Sequence, residues 1–262
     1  MCSSGNFSID ELDFIEKVSS TYKMKGSTYT CLKRAFAVRA LSRFMKHAEN
    51  GRPEGKALEL GCADGFETEL LSGLVEKLDV VDGSLTFIEA CRAVGHTNVR
   101  FFHTLFEEYS VGPGEEKYDY IFASYVLEHV SNAKNVLDMV KSSLKPEGLF
   151  FVLVPNARAL SRQLAQQMNI FSDLKALTEN DINHGHRRVY DMPDFVKEIE
   201  NSGFEIVAAG GLLFKLLADF QMDKLLDDGF LTIAHIEGLY RLGFIYPDFA
   251  DSLYAVCRER AY

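Results

Sequence analysis

The sequence predicts an open α/β fold, a mostly parallel sheet with helices on both faces. Three observations carry this expectation. Strand-like and helix-like segments alternate from residue 56 onward. The apolar run Ala57-Leu58-Glu59-Leu60 turns through Gly61-Cys62-Ala63-Asp64-Gly65 into the helix-like Glu67-Thr68-Glu69-Leu70-Leu71. That strand, tight turn and helix start let backbone approach a nucleotide-like ligand closely. The next apolar run, Leu78-Asp79-Val80-Val81, ends in Asp82, an acid roughly twenty residues past the turn.

In chain order, residues 8–47 read as helical. Leu12, Ile15 and Val18 repeat on one stretch, and Leu32, Phe36, Val38, Leu41 and Phe44 on another, with a polar break at Tyr22-Lys23-Met24-Lys25-Gly26-Ser27 between them. These helices, within residues 1–50, are expected to pack on the sheet edge, to cover a ligand crevice, or both. Strands are expected near 56–60, 78–81, 99–103, 118–124 and 149–154, and helices near 67–76, 85–92 and 133–144. Gly112-Pro113-Gly114 marks a surface turn, and Lys145-Pro146-Glu147-Gly148 a helix stop followed by a strand. Late strands fall near 204–209 and 252–258. Residues 51–262 then form one sheet domain with two insertions, 156–192 and 212–249, on the side where ligands of open α/β sheets bind. No internal repeat or low-complexity tract is present.

Composition narrows the class. The 262 residues carry a net charge of -10 and are 47% hydrophobic, as expected of a globular chain with a full-sized core. The acidic balance argues against a nucleic-acid partner, which would call for a basic face. No apolar run approaches transmembrane length, and no membrane association is expected. The N-terminus is polar and then acidic, unlike a signal peptide. The five cysteines are scattered and odd in number, unlike a disulfide framework. A cytoplasmic protein is expected, with a small-molecule substrate; the sequence sets no oligomeric state.

The acid within the first strand separates two ligand classes. Glu59 would repel a pyrophosphate and attract a cationic amino acid head. A dinucleotide fingerprint would also place glycine at positions 63 and 66, where the chain has Ala63 and Phe66. The run Glu59-Leu60-Gly61-Cys62-Ala63-Asp64-Gly65 resembles the first motif of class I S-adenosylmethionine-dependent methyltransferases, acid-x-Gly-x-Gly-x-Gly, with Ala63 in place of the middle glycine. The resemblance spans residues 55–210. It implies a Rossmann-like seven-stranded sheet whose last strand inserts antiparallel, and S-adenosylmethionine as cosubstrate. Glu59 would then hold the methionine amino group, and Gly61 and Gly65 would bring backbone to the methionine portion. Asp82, followed by Gly83 and Ser84, would accept from the ribose hydroxyls; the alternative is an acid complementing the dipole of the next helix. Thr104 stands where the family commonly has an acid, so adenine recognition falls to backbone N–H groups and to Leu105, with Glu107 and Glu108 facing solvent. Ser124, at the tip of the fourth strand, completes the cosubstrate set. Tyr22 would close over the sulfonium.

Beyond the fourth strand, Leu127-Glu128-His129-Val130 resembles the post-strand motif of ubiquinone O-methyltransferases, where a Glu-x-x-Glu-His constellation is associated with a metal. Tyr125 occupies the first Glu position, on the substrate side. Glu128 and His129 alone are too few ligands, so no metal is expected. His129 is a candidate general base; alternatively it bonds backbone beside the adenosine. A second polar cluster, Asn183-His184-Gly185-His186-Arg187-Arg188-Val189-Tyr190, contains a His-x-Arg-x-Tyr run resembling methyltransferases of sugars, lipids and other small metabolites. Arg188 and Tyr190 would contact substrate, or merely dock the loop on the sheet, and His184 or His186 would serve as base. Zinc bound by His184 and His186 is not expected, since no further Cys or His lies nearby in the chain.

The expected activity is methyl transfer from S-adenosylmethionine to an oxygen or nitrogen of a small polar metabolite or sugar. Its nearest rival is an intramolecular or non-methyl displacement on the same cosubstrate. A dinucleotide-dependent oxidoreductase and a non-catalytic binding module are the readings from other classes.

Overall fold

The structure, a computed structural model, describes residues 4–20, 27–46 and 54–260, with side chains from residue 10 onward. Tyr22 lies outside the described residues. Two helices come first, α1 (Ser4–Ser19) and α2 (Thr28–Leu41). The second is capped by Ser27, whose side chain accepts from the Thr30 N–H.

The sheet strands are β1 (Lys56–Leu60), β2 (Lys77–Asp82), β3 (Val99–His103), β4 (Tyr118–Ser124), β5 (Leu144–Pro155), β6 (Phe204–Phe214) and β7 (Ala250–Glu259). Their spatial order is β3-β2-β1-β4-β5-β7-β6. The first five pair in parallel, and β7 lies antiparallel between β5 and β6. This is the expected seven-stranded sheet of α/β type. Between strands run α3 (Phe66–Ser72), α4 (Leu85–Arg92), α5 (Ala133–Ser143), α6 (Leu160–Gln167), α7 (Glu179–Asn183), α8 (Met192–Asn201), α9 (Asp219–Asp227) and α10 (Ile233–Ile245).

Strand periodicity sorts the core into two layers. Ala57, Val80, Phe122, Phe151 and Leu153 pack with Phe36 and Leu41 of α2, Leu71 of α3, Ile88 of α4 and Tyr240 of α10. Leu58, Val81, Ile121, Phe150 and Val152 face the other way, onto Val136 and Val140 of α5 and Phe195 and Ile199 of α8.

Most elements lie within a residue or two of the sequence expectation at their ends, and three differ by more. Helix α3 ends at Ser72, four residues short of the expected end, with Gly73 as its C-cap. The Lys145–Gly148 turn is a register irregularity inside β5, whose pairing with β4 jumps from Tyr118↔Leu144 to Tyr120↔Leu149. Strand β6 continues to Phe214, so the second insertion starts within it. Strand β1 is flanked by β2 on one side and β4 on the other. The chain order reverses there, and connections leave in opposite directions to open a crevice at the carboxyl ends.

Candidate active site

The turn after β1 takes its shape from three alternate residues with positive φ, Gly61 (81°), Ala63 (44°) and Gly65 (78°). Gly61 N–H donates to the Val81 carbonyl at 2.8 Å, which fixes the turn against the tip of β2. Ala63 holds a left-handed conformation that an L side chain disfavours by about 1–2 kcal/mol. Asp82 braces the same turn from β2. It is 5% exposed, Oδ2 accepts from Cys62 N–H at 2.8 Å, and Oδ1 accepts from Ser84 N–H at 2.7 Å. Burial raises its pKa, and those N–H groups oppose the rise.

Here a cavity of about 470 Å³ opens, within the roughly 300–1,000 Å³ usual for small-molecule sites. Gly61, Cys62, Asp82, Gly83 and Leu105 line one end, and Ser124, Tyr125, Glu128 and His129 line the wall after β4. Helix α1 roofs it. A side chain at Gly83 would come within 2.8 Å of Ile15 Cδ1, so the glycine lets α1 lie close. Arg187 ties the roof to the first insertion by donating to Glu11 at 2.7 Å.

Several residues expected at the ligand stand elsewhere. Glu59 does not line the cavity. It shares the strand face of Ala57, beneath α3, where Oε2 accepts from the Thr68 hydroxyl at 2.7 Å. It is 2% exposed, and burial pushes its carboxyl well above the ordinary range. The acid that reaches the cavity is Glu67, on the first turn of α3. Burial raises Glu67 to about 7, against the Ser124 hydroxyl and the Arg34 charge. Gly65 sits against Cys91 rather than the cavity, and Thr104 is also off the wall. Ser84 caps α4 and its hydroxyl meets that of Ser19 at 3.0 Å. Glu107, expected in solvent, lines the cavity, whereas Glu108 is exposed.

The substrate expectation for Arg188 and Tyr190 is corrected likewise. Arg188 donates to the carbonyls of Leu127 (2.6 Å) and Ser131 (3.0 Å), and Tyr190 is buried with its hydroxyl on Glu198. Neither lines the cavity. Arg188 clamps the second polar cluster to the segment after β4, where buried carbonyls need donors, and Tyr190 ties it to α8.

The three histidines do converge. His129, His184 and His186 all line the cavity. The rings of His129 and His186 stand 4.6 Å apart and nearly perpendicular. Burial first, and then His186, lower His129 to about 3; burial lowers His186 to about 4 against the nearby Asp181 carboxylate. Both imidazoles are therefore neutral at physiological pH. Glu128, His129 and His186 offer one ligand atom each, all within 4.8 Å of one another. The sequence reading counted only two ligands here, and the fold supplies a third from a distant segment.

Sequence reasoning missed the contribution of α2. Arg34 and Lys33 line the cavity, and Arg34 grips Asp64 of the turn through two bonds, 2.5 and 2.8 Å. The signal available was a tandem cation pair on a helix with an apolar stripe, but its partner lies thirty residues away. Tyr125 also carries a positive φ of 59°, a backbone strain that recurs at functional sites.

Comparison with known proteins follows the same geometry. A family model described as a methyltransferase domain matches residues 32–209. The chain is 28% identical over 127 residues to a ubiquinone biosynthesis O-methyltransferase of Glaesserella parasuis serovar 5 (strain SH0165), covering 46% of this chain and 54% of that protein. The match thus spans about half the length of that curated relative. The fold resembles the N-methyltransferase NodS of Bradyrhizobium japonicum WM9 in complex with S-adenosyl-L-homocysteine, with TM-score 0.59 and 14% identity over 96% of this chain and 99% of that one. An S-adenosylmethionine-dependent methyltransferase of Mesorhizobium loti is similar, with TM-score 0.58 and 15% identity over 87% and 100% of the two chains. Among the described residues no helix is long and apolar enough to cross a membrane.

Proposed function

The chain belongs to the methyltransferase domain family, and on that premise we propose that it transfers the methyl group of S-adenosylmethionine to an oxygen or nitrogen of a small polar metabolite or sugar. One observation carries the reading: the braced glycine turn with Asp82 and the cluster of three histidines line one cavity. The cradle fits a nucleoside, since the turn's backbone and the Asp82 carboxylate lie together at the tips of β1 and β2.

S-Adenosylmethionine supplies a methyl group activated on a sulfonium; the remaining steps belong to this chain. Asp82 accepts from the ribose hydroxyls while keeping the turn braced. Leu105 flanks adenine. Arg34 and Glu67, rather than Glu59, line the wall where a zwitterionic amino acid end is received, and an ammonium group there would favour the ionised form of Glu67. The acceptor lies against Tyr125 and the histidines, beneath the roof of α1, which excludes water. In-line displacement depends mainly on holding the nucleophile close and aligned, and an imidazole on this wall takes the acceptor proton. An oxygen acceptor is favoured by the O-methyltransferases among the relatives.

The test is an acceptor panel incubated with S-adenosylmethionine and the full chain. Acceptor-dependent S-adenosylhomocysteine release is expected. Release of methylthioadenosine instead, or no binding of the cosubstrate, would discard the reading.

A further inference from the structure

We propose that Glu128, His129 and His186 together hold a divalent transition-metal ion at the acceptor end of the cavity. Glu128 is 0% exposed, and neither of its carboxylate oxygens meets a hydrogen-bond partner among the described residues. A buried carboxyl whose two oxygens have no hydrogen-bond partner is costly in either protonation state and calls for a partner group. Two imidazoles stand beside it, their ring nitrogens and its oxygen all within 4.8 Å of one another, close enough to share a cation.

The three side chains are held in place by contacts that would serve no isolated carboxylate. His129 Nε2 lies 4.0 Å from Glu128 Oε1, and the ring also bonds the backbone at Gly185, an outer contact that fixes ring orientation in metal sites. His186 arrives from the first insertion on a turn made by Gly185, with φ 77°. That segment is stapled directly to Glu128, because Arg187 N–H donates to the Glu128 carbonyl at 2.7 Å. The Asp181 carboxylate stands 3.5 Å from His186 Nδ1, the place of an outer-sphere acceptor for a ligating imidazole. His186 therefore replaces the ligand lost where Tyr125 stands, and Tyr125 turns its hydroxyl to Ser252 at 2.9 Å.

Two imidazoles and one carboxylate suit Zn²⁺, Mn²⁺ or Fe²⁺ better than Mg²⁺, which prefers oxygen. A tetrahedral site with bonds of about 2.1 Å sets ligand atoms roughly 3.4 Å apart. The present spread of up to 4.8 Å closes by small side-chain rotations. Three protein ligands leave a position for an acceptor oxygen, whose pKa the ion would lower. The proton then passes to His184, the remaining imidazole on the wall.

The purpose of the ion rests on the methyl-transfer reading, but its binding does not, and the two are read separately. The tag-free full chain, stripped by chelator, is titrated with Zn²⁺ by calorimetry, and Co²⁺ loading is followed by visible absorption. One Zn²⁺ per chain is expected, with affinity reduced at least about tenfold in Glu128→Gln and in His186→Ala, and unchanged in His96→Ala. The Co²⁺ bands should change in His186→Ala. Should that variant misfold, His186→Gln, checked by circular dichroism, replaces it. Wild-type affinity in the His186 variant, or no stoichiometric Zn²⁺ on the parent chain, overturns the site. S-Adenosylhomocysteine binding on the same samples separates the outcomes: retained without zinc binding, it removes the ion and leaves the methyl-donor reading standing.

Discussion

Replacing Asp82 with asparagine tests the adenosine end of the cavity most directly. The carboxylate accepts two backbone N–H bonds at once, 2.7 Å from Ser84 and 2.8 Å from Cys62. An amide offers one acceptor atom, so one N–H is left facing an NH₂ group. A hydrogen bond to a charged group contributes about 1.5–3 kcal/mol, and that much stability should vanish from the ligand-free protein. Loss of the charge also weakens the bonds to the ribose hydroxyls by a comparable amount. The bracing loss lowers folding stability, and the ribose loss alone raises the S-adenosylhomocysteine Kd by about 1.5–3 kcal/mol, roughly 10- to 150-fold. Calorimetric titration gives the affinity, and a urea melt without ligand gives the bracing contribution. A folded Asp82→Asn protein that binds within threefold of the parent would refute the placement of the ribose.

Three further outcomes follow from individual contacts. Glu67 has its pKa raised to about 7, so the native state holds a proton that the unfolded chain releases near 4.5. Stability should therefore fall as pH rises from about 4.5 to 7, by up to ~3 kcal/mol from this group, and Glu67→Gln should flatten that slope; an unchanged slope in urea melts at several pH values would exclude it. Thr68→Val strips the hydroxyl from buried Glu59 Oε2 and should cost about 1–3 kcal/mol in chemical denaturation, a loss under 0.5 kcal/mol arguing against the bond. Gly185→Ala puts a side chain at φ 77° and within 3.2 Å of Val18 Cγ1. A drop of about 1–2 kcal/mol is expected, with faster proteolysis of α1, and an unaltered melt would contradict the close packing of the roof.

The fold was legible because its signals are local. The apolar runs that became β1, β3 and β4 have the expected bounds, and Ser84 and Asn132 cap helices where the pattern placed their starts. Even the misjudged segment at Lys145–Gly148 carried turn residues; what made it part of a strand was pairing with Tyr118. The site was legible only in its backbone. Period two puts Glu59 on the face of Ala57, under α3, and that alternation was available from sequence although the depth of α3 over it was not.

The sequence by itself determined where strands, turns and helix starts lie, and so the crevice beside β1, since backbone preferences act over a few neighbouring residues. Only tertiary packing decided which side chains meet there. Arg34 reaches Asp64, Arg188 spends its donors on carbonyls of another segment, and His186 joins Glu128 across fifty-eight residues. Such meetings depend on how separately formed elements stack, and each buried polar atom takes the partner that stacking brings within reach.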